Sequence, residues 1–102
     1  MHKHVEWDDP GADSVQKYFA DKPDEYPTAH IGSIVAGRYH GYSVRVRVEA
    51  RTEENGVSVS IGNVVALISV RTGERTQGIG DLSIGDTVRL PDDHRALAPH
   101  SL

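Results

Sequence analysis

The sequence predicts a mainly β protein: a small SH3-like or OB-like barrel, or a strongly bent antiparallel sheet of five or six strands, with one short N-terminal helix. Three observations carry this. Residues 42–51 alternate apolar and polar side chains over ten positions, the period of a half-buried strand. Asn55-Gly56 follows, the preferred pair for a two-residue type I′ turn. Glycine-centred signals at Gly37–Gly41, Thr72-Gly73-Glu74 and Gly80-Asp81 divide the remainder into short strands.

In chain order, residues 1–28 form an acidic lead-in, residues 29–91 the β core and residues 92–102 a C-terminal tail. Within the lead-in a helix is expected over about residues 10–20. Asp9 can cap it, and Pro10 at its first position loses only a donor that had no partner. Val15, Tyr18 and Phe19 form one apolar stripe that should pack on the sheet. Pro23 and Pro27 break the helix, and the acidic residues around them should be solvated. Trp7, the only tryptophan, is expected to cover a sheet edge or one end of the core.

The β pattern begins near Ala29. Residues 31–36 predict a strand covered on both faces, interrupted at Gly37-Arg38-Tyr39-His40-Gly41. The next strand places Tyr42, Val44, Val46, Val48 and Ala50 on one face and Ser43, Arg45, Arg47, Glu49 and Arg51 on the other. With Asn55-Gly56 at the tip, Thr52 should face Val59, Ala50 should face Ile61, Val46 should face Val65 and Val44 should face Leu67. That register unites the apolar sets of both strands. Gly62-Asn63, where alternation yields to the run Val64–Ile68, predicts a bulge or sharp bend. Thr87-Val88-Arg89-Leu90 alternates into Pro91 and reads as a terminal or edge strand. Asp92-Asp93 can start a short helical turn through Leu97, ended by Pro99, with His100-Ser101-Leu102 frayed.

Composition bounds the function. At 102 residues there is room for one modest core, which buries somewhat over ~60% of the unfolded-chain surface. The absence of cysteine excludes disulfides, Cys-ligated zinc, iron–sulfur clusters and thiol nucleophiles, and suits a reducing compartment. The longest apolar run, Val64–Ile68, falls short of the ~18 residues of a membrane span, and the start lacks a signal-peptide core. The expectation is a cytoplasmic protein with no membrane contact. The net charge of −4 is uneven: residues 1–30 carry −4, residues 31–75 carry +2 and residues 76–102 carry −2. Every basic residue after Lys22 is arginine, whose fork binds phosphate or carboxylate; a GC-rich genome gives the same bias.

Ile34-Val35-Ala36-Gly37-Arg38-Tyr39-His40-Gly41 and the strand after it resemble the KOW-type strand–turn–strand of SH3-like barrels. In that family the element contacts RNA or proteins. The resemblance covers about a tenth of the chain and departs where Tyr42-Ser43-Val44 begins at once without a further glycine.

The candidate binding surface is the polar face of the hairpin: Ser43, Arg45, Arg47 and Arg51 on one strand, Ser58 and Ser60 across from them, and Arg38, Tyr39 and His40 from the preceding turn. Guanidinium groups ~6.6 Å apart along a strand approximate phosphate spacing. Glu49, Glu53 and Glu54 interrupt or flank the row, so the same pattern also describes a solvated face with cross-strand Arg/Glu pairs. His2 and His4 form an H-x-H pair with no evident third ligand, so no metal and no cofactor are expected. Nucleophile-elbow, dinucleotide and Walker patterns fail. A route to catalysis through residues distant in sequence, such as His40 with Asp81 or Asp86, is not indicated by spacing, and no catalytic residue is assigned. The expected function is therefore a non-enzymatic protein-interaction module, such as an accessory, inhibitor or mobile-element protein. The alternative is a nucleic-acid-binding barrel. A homo-oligomer through an edge strand is a further partner class.

Overall fold

The computed structural model describes residues 4–97. The expectations for His2, Pro99 and His100-Ser101-Leu102 fall outside that range. The protein is mainly β, with a five-stranded antiparallel sheet and one short helix, α1 (Val15–Tyr18). Strands β1 (Ile34–Tyr39), β2 (Tyr42–Glu54) and β3 (Val57–Ser69) form a meander, and β4 (Arg75–Thr76) and β7 (Thr87–Pro91) pair with different stretches of β3. Between them, β5 (Gly78–Ile79) and β6 (Leu82–Ser83) make a separate two-stranded piece.

The β2–β3 hairpin organises the molecule. Asn55 and Gly56 both have positive φ, 52° and 80°, as the tight primed turn requires. The register expected from that turn holds at both ends: Thr52 faces Val59, Ala50 faces Ile61, and Val44 faces Leu67. In the middle it slips by one, so Val46 faces Val64 instead of Val65. Glu49 is the extra residue on β2 and Val65 the extra residue on β3, and the second bulge restores what the first displaced. Gly62 lies beside the first. A Cβ there would stand 1.9 Å from the Arg47 carbonyl oxygen, so no other residue fits that close approach.

The bulge at Glu49 corrects the single-face reading. Val44, Val46 and Val48 are buried, but Ala50 and Thr52 are exposed and Arg51 turns to the core side. An inserted residue reverses side-chain parity beyond it. On that side Ser60 pairs with Leu90, and Gly62 with Val88, which stack on Val48 and Val64.

β1 runs through Gly37 without interruption, and the turn is only His40-Gly41, with φ of 50° and 78°. The glycine at 37 serves packing. A Cβ there would meet the Leu90 Cδ1 and Trp7 Cε3 atoms at 2.8 Å each. Trp7 lies in the seam between β1 and β7, and its indole N–H donates to the Arg89 carbonyl at 2.7 Å. Tryptophan thus covers the gap, as expected of it, with its polar atom satisfied. The edge of β1 away from β2 takes Asp8 N–H onto the Arg38 carbonyl and Ala96 N–H onto the Ala36 carbonyl, both at 2.8 Å.

After β7 a 3₁₀ turn spans Asp92–His94. It ends earlier than the helical turn to Leu97 that the sequence suggested, because Arg95 and Ala96 extend to bridge Gly37 and Ser14. The chain after β7 thus touches β1 through the isolated Arg95–Gly37 bridge. The N-terminal helix is also shorter than expected: a 3₁₀ turn at Gly11–Asp13, extended Ser14, then α1. Asp9 is not its cap: it accepts from Gly11 N–H at 2.9 Å ahead of the 3₁₀ turn, while Ser14 caps α1, its Oγ accepting from Lys17 N–H at 3.3 Å. Of the stripe only Val15 is buried, docked on Arg95 and Ala96, while Tyr18 is 52% exposed.

Candidate functional site

The residues expected on the polar hairpin face do not stay together. Arg45 and Arg47 remain together on the outer side of β2, Arg45 between Ala36 and Ala66, Arg47 between Ile34 and Asn63. Arg47 is exposed and Arg45 half-buried. Ser43 and Ser60 are fully buried. Ser58, half-buried, faces Glu53 near the tip. Arg38 is directed to Asp13 at 3.2 Å and the Leu97 carbonyl at 3.0 Å, which pins both terminal segments to β1. Its Nε and the Oγ of Ser43, its cross-strand neighbour, are buried without a hydrogen-bond partner among the described residues.

Arg51 has left the outer face. Its guanidinium makes two parallel hydrogen bonds to Asp92, at 3.0 and 3.2 Å, and a third to Ser60 Oγ at 2.6 Å. The hydrogen bonds that Arg51 donates to Asp92, against an opposing effect of burial, raise its pKa above the ordinary value. Arg95, also buried, donates to the Pro27 carbonyl at 2.9 Å and lies over the Tyr26 ring. Arg51 ties the C-terminal segment to the hairpin, and Arg95 ties that segment to the lead-in.

Tyr39 and His40, the remaining predicted residues, line a cleft of about 420 Å³ together with His4, Val5, Glu6, Asp8, Asp81 and Leu82. Its position follows from the local sequence. The I′ turn projects His40, Trp7 in the seam brings Glu6 and Asp8 alongside, and the turn at Gly80 presents Asp81. Asp8 is held at both ends, its N–H on the Arg38 carbonyl and its Oδ2 accepting from Gly41 N–H at 3.2 Å. Tyr39 stacks edge-on to His40 with ring centres 4.2 Å apart. His40 and Asp81, whose meeting the sequence left open, thus share one cleft.

Three carboxylates, two imidazoles and a phenol face the cleft, and no lysine or arginine lines it among the described residues. Such a surface suits a guanidinium or ammonium group, which carboxylates bind by charge-assisted hydrogen bonds and a tyrosine face by cation–π attraction. No set of three or more His, Asp or Glu among the described residues is arranged to hold a metal ion. No described helix is long and apolar enough to cross a membrane. Sequence reasoning placed Glu6 and Asp8 in a solvated lead-in. The signal that could have found them is Trp7, since a tryptophan that covers a sheet edge carries its neighbours to that edge. No family model, curated protein or solved structure matches the chain.

Proposed function

We propose that this chain is a non-enzymatic protein-interaction module that receives a basic side chain of its partner in the cleft at His40. One observation carries the reading: Glu6, Asp8 and Asp81, from separate parts of the chain, line the same concavity beside Tyr39. Convergent carboxylates of this kind recognise arginine or lysine and speed encounter with a basic partner at low salt. The net charge of −4 favours the same class of partner. The finer fold we favour is the SH3-like barrel over the OB-like one, because β1, β2, β3 and β7 run in series and a 3₁₀ turn leads back to β1. A cytoplasmic setting belongs to the same proposal.

The test is calorimetric titration with an Arg-rich peptide and with an Arg-to-Glu control peptide. Binding to the first alone, weakened at least about tenfold in a Glu6→Gln/Asp81→Asn double variant and falling with salt, is the expected result. Equal binding by the variant overturns it. The second reading, nucleic-acid binding, rests on the adjacent Arg45 and Arg47 of the outer face.

A further inference from the structure

β2 is longer than the strand it pairs with on one side. β1 accompanies it only from Tyr42 to Arg47, and Val48 takes the last bonds of that ladder, accepting from Gly32 N–H and donating to the Ser33 carbonyl. Beyond the bulged Glu49, from Ala50 to Glu54, the strand is paired with β3 alone.

The direction of its backbone groups follows from the turn. Glu54 and Val57 flank a two-residue loop, so they exchange both hydrogen bonds, and antiparallel alternation then turns Thr52 and Ala50 toward β3. The N–H and C=O groups of Glu53 and Arg51 point the other way. Among the described residues no backbone group of another segment bonds to them. A strand edge of this kind is a template for a further strand.

Its chemistry selects the occupant. Glu49 and Glu53 are exposed and make no ion pair with the described residues, whereas Glu54 is held by Arg89 and the Arg51 guanidinium is neutralised by Asp92. The edge is therefore net negative. Two copies of the chain would bring like charges together, while an extended basic strand gains both ladder bonds and ion pairs. We propose that the β2 edge from Glu49 to Glu54 is a strand-addition site for an extended, lysine- or arginine-bearing segment of a partner protein. This surface is separate from the His40 cleft and stands without it.

The test follows backbone amides of ¹⁵N-labelled full-length protein by NMR during titration with the end-blocked peptide Thr-Lys-Thr-Lys-Thr-Lys, with Thr-Glu-Thr-Glu-Thr-Glu as control. The expected result is that the amides of Arg51 and Glu53 shift and gain protection from exchange, while those of Ala50 and Thr52 are protected throughout. The glutamate peptide should shift neither. Glu53→Pro removes an outward N–H that the β2–β3 ladder does not use, and should abolish the response with the hairpin amides retained. Glu49→Gln/Glu53→Gln keeps the backbone and should weaken binding about tenfold. Shifts confined to the His40 cleft, a response unchanged in Glu53→Pro, self-association of the free protein through this edge, or no shift at millimolar peptide would each overturn the proposal.

Discussion

Arg51 on β2 and Asp92 after β7 are joined by two parallel hydrogen bonds across 41 residues of sequence. The pair locks the distal half of the hairpin to the turn that carries the chain back to β1. It exists because Glu49 is a bulge: without that extra residue Arg51 would face solvent beside Arg45 and Arg47.

Arg51→Ala leaves Asp92, only 8% exposed, without its cation. The expected loss is about 3 kcal/mol in urea unfolding, because a carboxylate stranded out of water costs more than the pair contributes. Arg51→Lys, which keeps charge but loses the fork, should cost about half of that. The pH dependence has a definite sign. The folded-state pKa of Arg51 is raised, so its stabilisation is complete below the unfolded pKa and is lost only as pH rises through the folded value. Arg51 should therefore contribute no loss of stability between neutral pH and about pH 10.

Gly37→Ala sets a methyl against the Trp7 ring and Leu90. Overpacking of a tight seam costs about 1–3 kcal/mol, and fluorescence should report it as a red shift of the single tryptophan as the ring is displaced. A blue-shifted or unchanged spectrum with full stability would remove Trp7 from the seam.

Gly62→Ala should be worse than Gly37→Ala. The obstacle is the Arg47 backbone oxygen, not the movable end of a side chain. The ladder must open for the methyl to enter, and a loss above about 3 kcal/mol in thermal or urea unfolding is expected.

Gly56→Ala tests the turn. With φ at 80° a Cβ strains the backbone by about 1–2 kcal/mol, and Asn55→Ala should cost somewhat less, since asparagine is itself only tolerant of this region. Both variants should keep the tertiary fold, with circular dichroism unchanged at low temperature.

Arg45→Ala/Arg47→Ala should change stability by no more than about 0.5 kcal/mol, as befits an outer face. It also tests the nucleic-acid reading. Two phosphate contacts give a log–log salt slope of about −1.8 on duplex DNA. Retention of the wild type on DNA at low salt, lost in this variant, would support that reading, and absence of retention would end it.

Much of the fold was legible because it rests on local rules. Asn55-Gly56 defined its own turn, and alternation along residues 44–48 correctly assigned the buried valines, though Ser43, read as wet, is buried. Thr87–Pro91 read as a terminal or edge strand, and it is the last strand, paired in the sheet with β3. The helix was overestimated because Asp9 and Pro10 signal a start while nothing local opposes continuation; Ser14 is drawn into extended geometry by its bridge to Ala96, 82 residues away.

The binding surface was less legible for the same reason. Alternation assigns faces only while the ladder is regular, and one bulged residue transfers every side chain beyond it to the opposite face. Gly62 announced an irregularity, but not which strand would carry the extra residue. The sequence by itself determined the two hairpin strands and the strand into Pro91, the hairpin tip and the register at both of its ends, since these follow from side-chain period and backbone sterics. Only the tertiary structure decided that Arg51 serves Asp92, that Gly37 makes room for Trp7, and that His40 shares a cleft with Glu6, Asp8 and Asp81. Those outcomes depend on which distant segments meet, and no local preference encodes them.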